Sequence, residues 1–255
     1  MKIGVCTTDI KNAAFVKSLG YDFIETSLSG LMQWSEEEFA AALQIIECAG
    51  IKVESVNGFF PGDMEILNPE RWGQVRDYCV KALQRASLLG VQVAVMGSGS
   101  ARRRPEGMDE KEYKQRLFSL LTIMGDEAAK LGMTITVEPL NSFETNAINL
   151  LSECVALIQQ LNHPSVKVIA DFFHMYKGGE GVDVIERTNG TLAHVHIVRG
   201  KADRGTPCAE DKQDIEAVNK ALRKIGYTGR VSIEAAYKDF EKEITEAYPL
   251  LEVFR

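Results

Sequence analysis

Paired cysteines are missing from this sequence. Cys6, Cys48, Cys79, Cys154 and Cys208 stand singly, with no Cys-x-x-Cys among them, so neither a zinc ribbon nor a disulfide framework is expected, and the odd count reads as reduced thiols. Long apolar runs are absent too. Nothing approaches the roughly eighteen residues of a membrane span, and the start, Met1-Lys-Ile-Gly-Val-Cys-Thr-Thr-Asp, is too short an apolar run for a signal peptide. The cytoplasm is the expected compartment, with no membrane partner. Positive charge is in deficit: 29 Lys and Arg against 36 Asp and Glu leave a net charge of -7, which opposes a phosphate-backbone footprint and argues against nucleic acid. No linker, low-complexity tract or composition shift divides the chain. With 45% hydrophobic and 25% charged residues, residues 1–255 are expected to build one soluble domain around a large core.

What is present repeats. Five times an amphipathic stretch runs into a glycine and then a short β-branched run, at Leu19-Gly20-Tyr-Asp-Phe-Ile-Glu, Ala49-Gly50-Ile-Lys-Val-Glu, Leu89-Gly90-Val-Gln-Val-Ala-Val, Leu131-Gly132-Met-Thr-Ile-Thr-Val and Ile225-Gly226-Tyr-Thr-Gly-Arg-Val. Glycine just past a helix takes the left-handed conformation that ends it, so each phrase predicts helix, cap, strand.

The helices carry their own signals. Ser35 and Glu38 form a capping box, Trp34 and Phe39 are placed to staple around it, and Phe39, Leu43 and Ile46 keep one face apolar. Leu117, Leu120, Leu121, Met124, Ala128 and Leu131 make a second stripe, Leu151, Val155 and Ile158 a third before His163-Pro164, and Ile215, Val218, Leu222 and Ile225 a fourth. Eight strand candidates lie between, at 2–7, 23–27, 52–57, 92–96, 134–138, 167–171, 193–198 and 230–235, several being continuous apolar runs of the kind buried on both faces. Dividing 255 residues by eight leaves about 32 per unit, one strand-plus-helix step, and eight alternations predict a (β/α)8 TIM barrel. A doubly wound open sheet is the runner-up, since alternation alone does not show closure. The longer connections, 58–68, 97–108 and 199–212, all follow strands, which in a barrel places them over the catalytic face.

Late in each of four consecutive strand candidates stands one residue able to bind a metal: Glu138 in Thr-Val-Glu-Pro-Leu-Asn, Asp171 in Val-Ile-Ala-Asp-Phe-Phe-His, His196 in His-Val-His-Ile and Glu234 in Val-Ser-Ile-Glu-Ala, spaced by 33, 25 and 38 residues. Adjacent parallel strands bring such ends together, where three carboxylates and an imidazole ask for a neutralising divalent cation. Three oxygens and one nitrogen suit Mn2+ first, then Co2+ or Mg2+, with positions left for a substrate's vicinal oxygens; Zn2+ usually draws more His or Cys. Any one of the four alone reads as a strand-end group pairing with nearby backbone or lysine. Four in register read as a site.

These four segments, in order and spacing, resemble the xylose isomerase-like TIM-barrel superfamily of sugar isomerases and epimerases over the whole chain, and particularly its ketose 3-epimerase branch (D-tagatose and D-psicose 3-epimerases). The resemblance implies that Glu138, Asp171, His196 and Glu234 bind one divalent metal, usually manganese or cobalt, and that Glu138 and Glu234 also move protons. It further implies that Glu144, His174 and Arg204 hold the hydroxyls and carbonyl of a small sugar, and it makes a homodimer or tetramer compatible with the chain. Two departures stand out: the family's Asn-Arg-Phe-Glu is Asn141-Ser142-Phe143-Glu144 here, and Arg204 lies eight residues after His196 rather than six.

The chemistry follows from the donor set. A cation bridging a ketose carbonyl and its neighbouring hydroxyl eases proton loss from the carbon between them and stabilises the enediolate. Proton return from the opposite face gives epimerisation, and return to the adjacent carbon gives aldose–ketose isomerisation. The same site suits a lyase, a dehydratase or decarboxylase acting on an inosose or sugar acid; without chemistry it leaves a sugar-binding module. Endonuclease IV-like repair enzymes of the superfamily need three zincs and more histidines than His163, His174, His194 and His196.

Other features carry two readings each. His194 shares a strand face with His196, one layer deeper, as a supporting partner or a hydrogen-bonded core histidine. Gly97-Ser-Gly-Ser-Ala-Arg102-Arg103-Arg104-Pro offers a grip for a phosphate or carboxylate, or a solvated basic loop or subunit contact. It lacks the ending of a P-loop and the glycines of a dinucleotide fingerprint, so no nucleotide cofactor is implied. Phe59-Phe60-Pro61-Gly62 forms an apolar wall at the mouth or simply packs, and Glu25 and Asn57 touch substrate or support the fold.

Overall fold

The computed structural model describes residues 1–188, 190–199 and 204–255, so the expected connection 199–212 falls partly outside the described residues. Eight strands, β1 (Lys2–Cys6), β2 (Phe23–Ser27), β3 (Lys52–Asn57), β4 (Val93–Met96), β5 (Thr134–Val137), β6 (Val166–Asp171), β7 (Leu192–Ile197) and β8 (Arg230–Ile233), pair in sequence order into a closed barrel. Every ladder is parallel, and β1 closes the ring on β8 through Lys2–Arg230 to Val5–Ile233. The open-sheet alternative is thereby excluded, and the expected TIM barrel stands.

The helices are α1 (Ala13–Ser18), α2 (Leu28–Leu31), α3 (Glu36–Ala49), α4 (Trp72–Leu89), α5 (Glu110–Ala129), α6 (Leu151–Leu161), α7 (Phe172–Lys177), α8 (Lys212–Lys224) and α9 (Phe240–Leu251). The capping box at α3 is complete: Glu38 N–H donates to Ser35 Oγ at 3.1 Å and Ser35 N–H to Glu38 Oε2 at 2.8 Å. Gly20, Gly50, Gly90, Gly132 and Gly226 all have φ between 62° and 99°, as the five repeated phrases require. Leu131 departs from the predicted stripe: α5 stops at Ala129, and Leu131 lies in the turn beyond it, 39% exposed. After β6 the step is made by the short α7 and a 3-10 segment at Val182–Thr188, because Gly178, Gly179 and Gly181 interrupt the helix. Among the described residues no helix is long and apolar enough to cross a membrane.

Most buried apolar side chains fill the layer between strands and helices. Alternate strand residues point the other way, into the barrel, and build its interior in tiers. At the N-terminal end Glu54 joins Lys2 (2.5 Å) and Arg230 (2.8 Å) as a charged plug. Above it Phe23 occupies the space that Gly4 leaves open, since a Cβ on Gly4 would lie 2.4 Å from the ring. Val93, Val95 and Ile169 make a small separate apolar cluster. Two residues further along their strands, the same inward parity delivers Gly97, Asp171 and the other residues of the mouth.

Candidate active site and metal centre

Four side chains converge at the C-terminal mouth. Asp171 is the last residue of β6 and His196 lies within β7, while Glu138 and Glu234 stand one residue past β5 and β8. Pro139 follows Glu138 and brings no N–H to extend the ladder. Ring atom Nδ1 of His196 is 3.4 Å from Glu138 Oε1, 3.4 Å from Asp171 Oδ2 and 3.5 Å from Glu234 Oε2. One donor atom from each of the four lies within 4.8 Å of all the others. Donors held about 2.1 Å from one ion sit roughly 3.0–3.5 Å apart, which the three distances from His196 Nδ1 match. Glu138 Oε1, Asp171 Oδ2 and His196 Nδ1 are buried and make no hydrogen bond within the protein. Buried polar atoms are almost always paired, so three such orphans aimed at one point fit a divalent cation.

The back of the imidazole is fixed from below. His196 Nε2 lies 2.9 Å from Glu25 Oε1, and the other oxygen of Glu25 is contacted by His194 Nε2 (2.8 Å), Ser55 Oγ (2.7 Å) and Ser232 Oγ (2.7 Å). All five residues belong to strands, and Glu25, Ser55, His194, His196 and Ser232 are fully buried. A proton on Nε2 toward Glu25 leaves the Nδ1 lone pair facing the three carboxylates, the tautomer a metal ligand needs. Glu25 therefore lies beneath the mouth, buried against the far side of the His196 ring, and His194 is a hydrogen-bonded core histidine that shares that carboxylate.

The rim is a second chain of contacts. Glu234 accepts from Asn57 Nδ2 on Oε1 (2.7 Å) and from Arg204 Nη2 on Oε2 (2.6 Å). Arg204 also meets His174 Nε2 at 3.1 Å, and its guanidinium lies 5.0 Å over the Phe173 ring. Asn141 links His174 to Glu144: its N–H donates to His174 Nδ1 at 3.0 Å and its Nδ2 to Glu144 Oε1 at 2.9 Å. The structure thus brings Glu144, His174 and Arg204 to one side of the mouth. His174 is placed there because Asp171 Oδ1 caps α7 by accepting the His174 N–H at 3.0 Å.

Charges in this cluster pull against one another. Burial raises the Glu138 carboxyl above its ordinary range, and the Glu234 and Asp171 charges add to the rise despite contact with His196. Burial also acts to raise Asp171, but His196, His174 and Arg204 outweigh it and hold that carboxyl well below the usual range. His196 is lowered by burial and more than restored by Glu25 and Glu234, ending well above an ordinary imidazole.

Three further features can be set against their two readings. Phe59 and Phe60 are buried and pack on Tyr78, whose hydroxyl donates to the Phe59 carbonyl at 2.8 Å, so they are packing and not an open wall. Asn57 reaches the mouth through Glu234. Arg102 is wholly buried, so for that residue neither an anion grip nor a solvated loop holds. Ser55 and Ser232 carry no role in the sequence reading, although Ser232 lies two residues before Glu234 and shares its strand face; Asn141 enters that reading only within Asn141-Ser142-Phe143-Glu144, and Arg102 sits in an irregular loop with no parity signal.

An eight-stranded parallel barrel with an acidic histidine-bearing cluster at its C-terminal mouth defines a class of enzyme-like TIM barrels. Within that class the chain belongs to the Xylose isomerase-like TIM barrel family, whose family model matches residues 13–253. It is similar to the D-psicose 3-epimerase of Agrobacterium fabrum, 26% identical over 235 residues, which cover 88% of this chain and 78% of that protein. It is also similar to the 3-dehydro-D-guloside 4-epimerase of Escherichia coli, 25% identical over 230 residues covering 86% and 84%. A solved structure of D-psicose 3-epimerase in the presence of D-fructose superposes with a TM-score of 0.83 at 21% identity, covering 99% of this chain and 97% of that one, a likeness of fold.

Proposed function

We propose that this protein is a divalent-metal-dependent epimerase of a ketose or related sugar derivative. The observation that carries the reading is the triple approach of Glu138, Asp171 and Glu234 to His196 Nδ1, with Glu138 Oε1, Asp171 Oδ2 and His196 Nδ1 making no hydrogen bond. The epimerase names of its relatives support it. Glu138, Asp171, His196 and Glu234 would hold the ion, for which Mn2+ is favoured over Co2+, Mg2+ and Zn2+ by three oxygens and one nitrogen. When bound, the ion supplies Lewis-acid polarisation of a carbonyl and a neighbouring hydroxyl.

The remaining work falls to the chain. Glu138 and Glu234 are the acid/base pair, one removing the proton beside the carbonyl and the other delivering a proton to the opposite face. Asn57 and Arg204 orient Glu234 through both of its oxygens. Glu144, His174 and Arg204 hold sugar oxygens along one side of the mouth. Beside Glu234 opens a cavity of about 370 Å³, bordered by Thr7, Asp9, Asn12, Ser27 and Tyr237 among others, with no Lys or Arg among its described lining. That lining suits the hydroxyl-bearing part of a sugar, while the cation of the mouth is Arg204 on the other oxygen of Glu234.

The test is incubation of Mn2+-loaded protein in D2O with free ketoses, keto-glycosides, ketose phosphates and sugar acids, followed by proton NMR. Exchange of a carbon-bound hydrogen with formation of an epimer is the expected result. Loss of water or carbon dioxide would assign the lyase, and binding without exchange the sugar-binding module.

A further inference from the structure

Three consecutive arginines follow β4, and the structure turns them onto the segment that carries Glu138 and Glu144. Arg102 Nη2 donates to the backbone carbonyl of Glu138 at 2.5 Å, while its own carbonyl accepts from the Tyr113 hydroxyl at 3.0 Å. Arg103 Nη2 donates to the carbonyl of Glu144 at 3.0 Å. Asn146 clasps the Arg104 main chain from both sides, accepting its N–H at 2.8 Å and donating to its carbonyl at 3.0 Å. Three successive residues thus grip three points of one stretch, residues 138–146.

The same loop leaves room for the Glu138 side chain. A Cβ on Gly97 would fall 2.2 Å from Glu138 Oε2, and one on Gly99 would meet Leu140 at 2.9 Å and the Glu144 carbonyl at 3.1 Å. Gly97 does not have a positive φ, so what it supplies is space. On the far side the ladder between β5 and β6 ends at Val137–Val168, and Pro139 offers no N–H. The carbonyl of Glu138 has instead the buried guanidinium.

A guanidinium without solvent is costly, and Arg102 keeps Nε and Nη1 unpartnered in a fully buried position. An apolar side chain of similar volume would fill the space at less cost, so the charge is retained for what it does to its neighbour. We infer that Arg102 is a positioning residue for Glu138: it fixes the peptide from which Glu138 projects and so sets where Oε1 stands relative to Asp171 and His196. The inference rests on the reading of Glu138 as a metal ligand and acid/base group.

The experiment compares the full-length wild type with Arg102→Met, Arg102→Lys and Gly97→Ala. It measures Mn2+ dissociation constants by the electron paramagnetic resonance of free Mn2+, kcat and KM on a ketose that the wild type exchanges, and the thermal midpoint. Supporting partners of metal ligands typically matter by about 10–100-fold. Arg102→Met is expected to weaken Mn2+ binding and kcat by that factor with KM within about threefold, and Arg102→Lys to recover most of the loss. Gly97→Ala, pressing on Glu138 from the opposite side, is expected to lower kcat and Mn2+ affinity at an unchanged thermal midpoint. Should Arg102→Met fail to fold, the Lys and Gly97 variants decide. Variants that bind Mn2+ and turn over like the wild type, or losses that track only the thermal midpoint and are not restored by lysine, would overturn the inference alone. A wild type that binds no Mn2+ would overturn the reading of the site and this inference with it.

Discussion

Glu25 Oε1 lies 2.9 Å from Nε2 of His196, directly across the imidazole from the three acidic side chains of the mouth. The ring therefore stands between two sets of negative charge. Replacing Glu25 by Gln turns an acceptor of several donors into a group that presents its own N–H to some of them. Mn2+ affinity is expected to fall about 10–100-fold. The thermal midpoint should fall as well, because buried hydroxyls of Ser55 and Ser232 lose an ionised partner. Mn2+ titration and calorimetry check both effects; unchanged affinity would remove Glu25 from its supporting role.

Glu234→Gln is expected to abolish deuterium exchange at the sugar carbon, a loss of about 10²–10⁴-fold or more, with the far-ultraviolet circular dichroism unchanged. Asn57→Ala, which frees one oxygen of Glu234 without removing it, should cost less. Full turnover by the Gln variant would take Glu234 out of the acid/base pair.

Adding the ion should stabilise the fold, since it relieves repulsion among Glu138, Asp171 and Glu234. At a hundredfold excess over its dissociation constant a ligand adds about 2.7 kcal/mol, which for a chain of this size raises the thermal midpoint by about 5–10 °C. Scanning calorimetry with Mn2+ and after chelation measures the difference. Asp171→Asn should reduce it sharply.

Thiol reactivity follows from burial and acidic neighbours. Burial and Glu127 push the Cys79 thiol up to about 12, burial pushes Cys154 up to about 12, and burial with Glu210 and Asp211 pushes Cys208 up to about 11. Cys6 is raised well above an ordinary thiol by burial and Glu25. A raised value leaves almost no thiolate at pH 8. Ellman's reagent should therefore titrate one thiol rapidly in the native protein, the exposed Cys48, and all five after denaturation.

Gly4→Ala places a methyl group 2.4 Å from the Phe23 ring inside the barrel. Overpacking of this kind costs about 1–3 kcal/mol. Urea unfolding should show the loss, and the Phe23→Leu background should relieve part of it.

Five of the strands, β2, β3, β4, β5 and β8, were readable because each couples a left-handed glycine to a β-branched run, and both signals are local. The tiers inside the barrel were readable in part: parity puts His194 under His196 and Ser232 under Glu234, but only closure tells that Glu25, from the opposite half of the chain, lies against both histidines. The loops carried less. Arg102 looks like a solvent cation in sequence, and nothing local says that its side chain is drawn inward to a carbonyl 36 residues away. Leu131 matched a helical stripe whose helix had already stopped two residues earlier.

Glu138, Asp171, His196 and Glu234 follow one another along β5 to β8, and the last of them rides on the strand that meets β1. An ion shared by all four would brace those four strands against one another at the mouth. Parting of β8 from β7 would strip one donor of the four, so escape of the cation would herald unzipping of that half of the cylinder, ahead of any loss of helix.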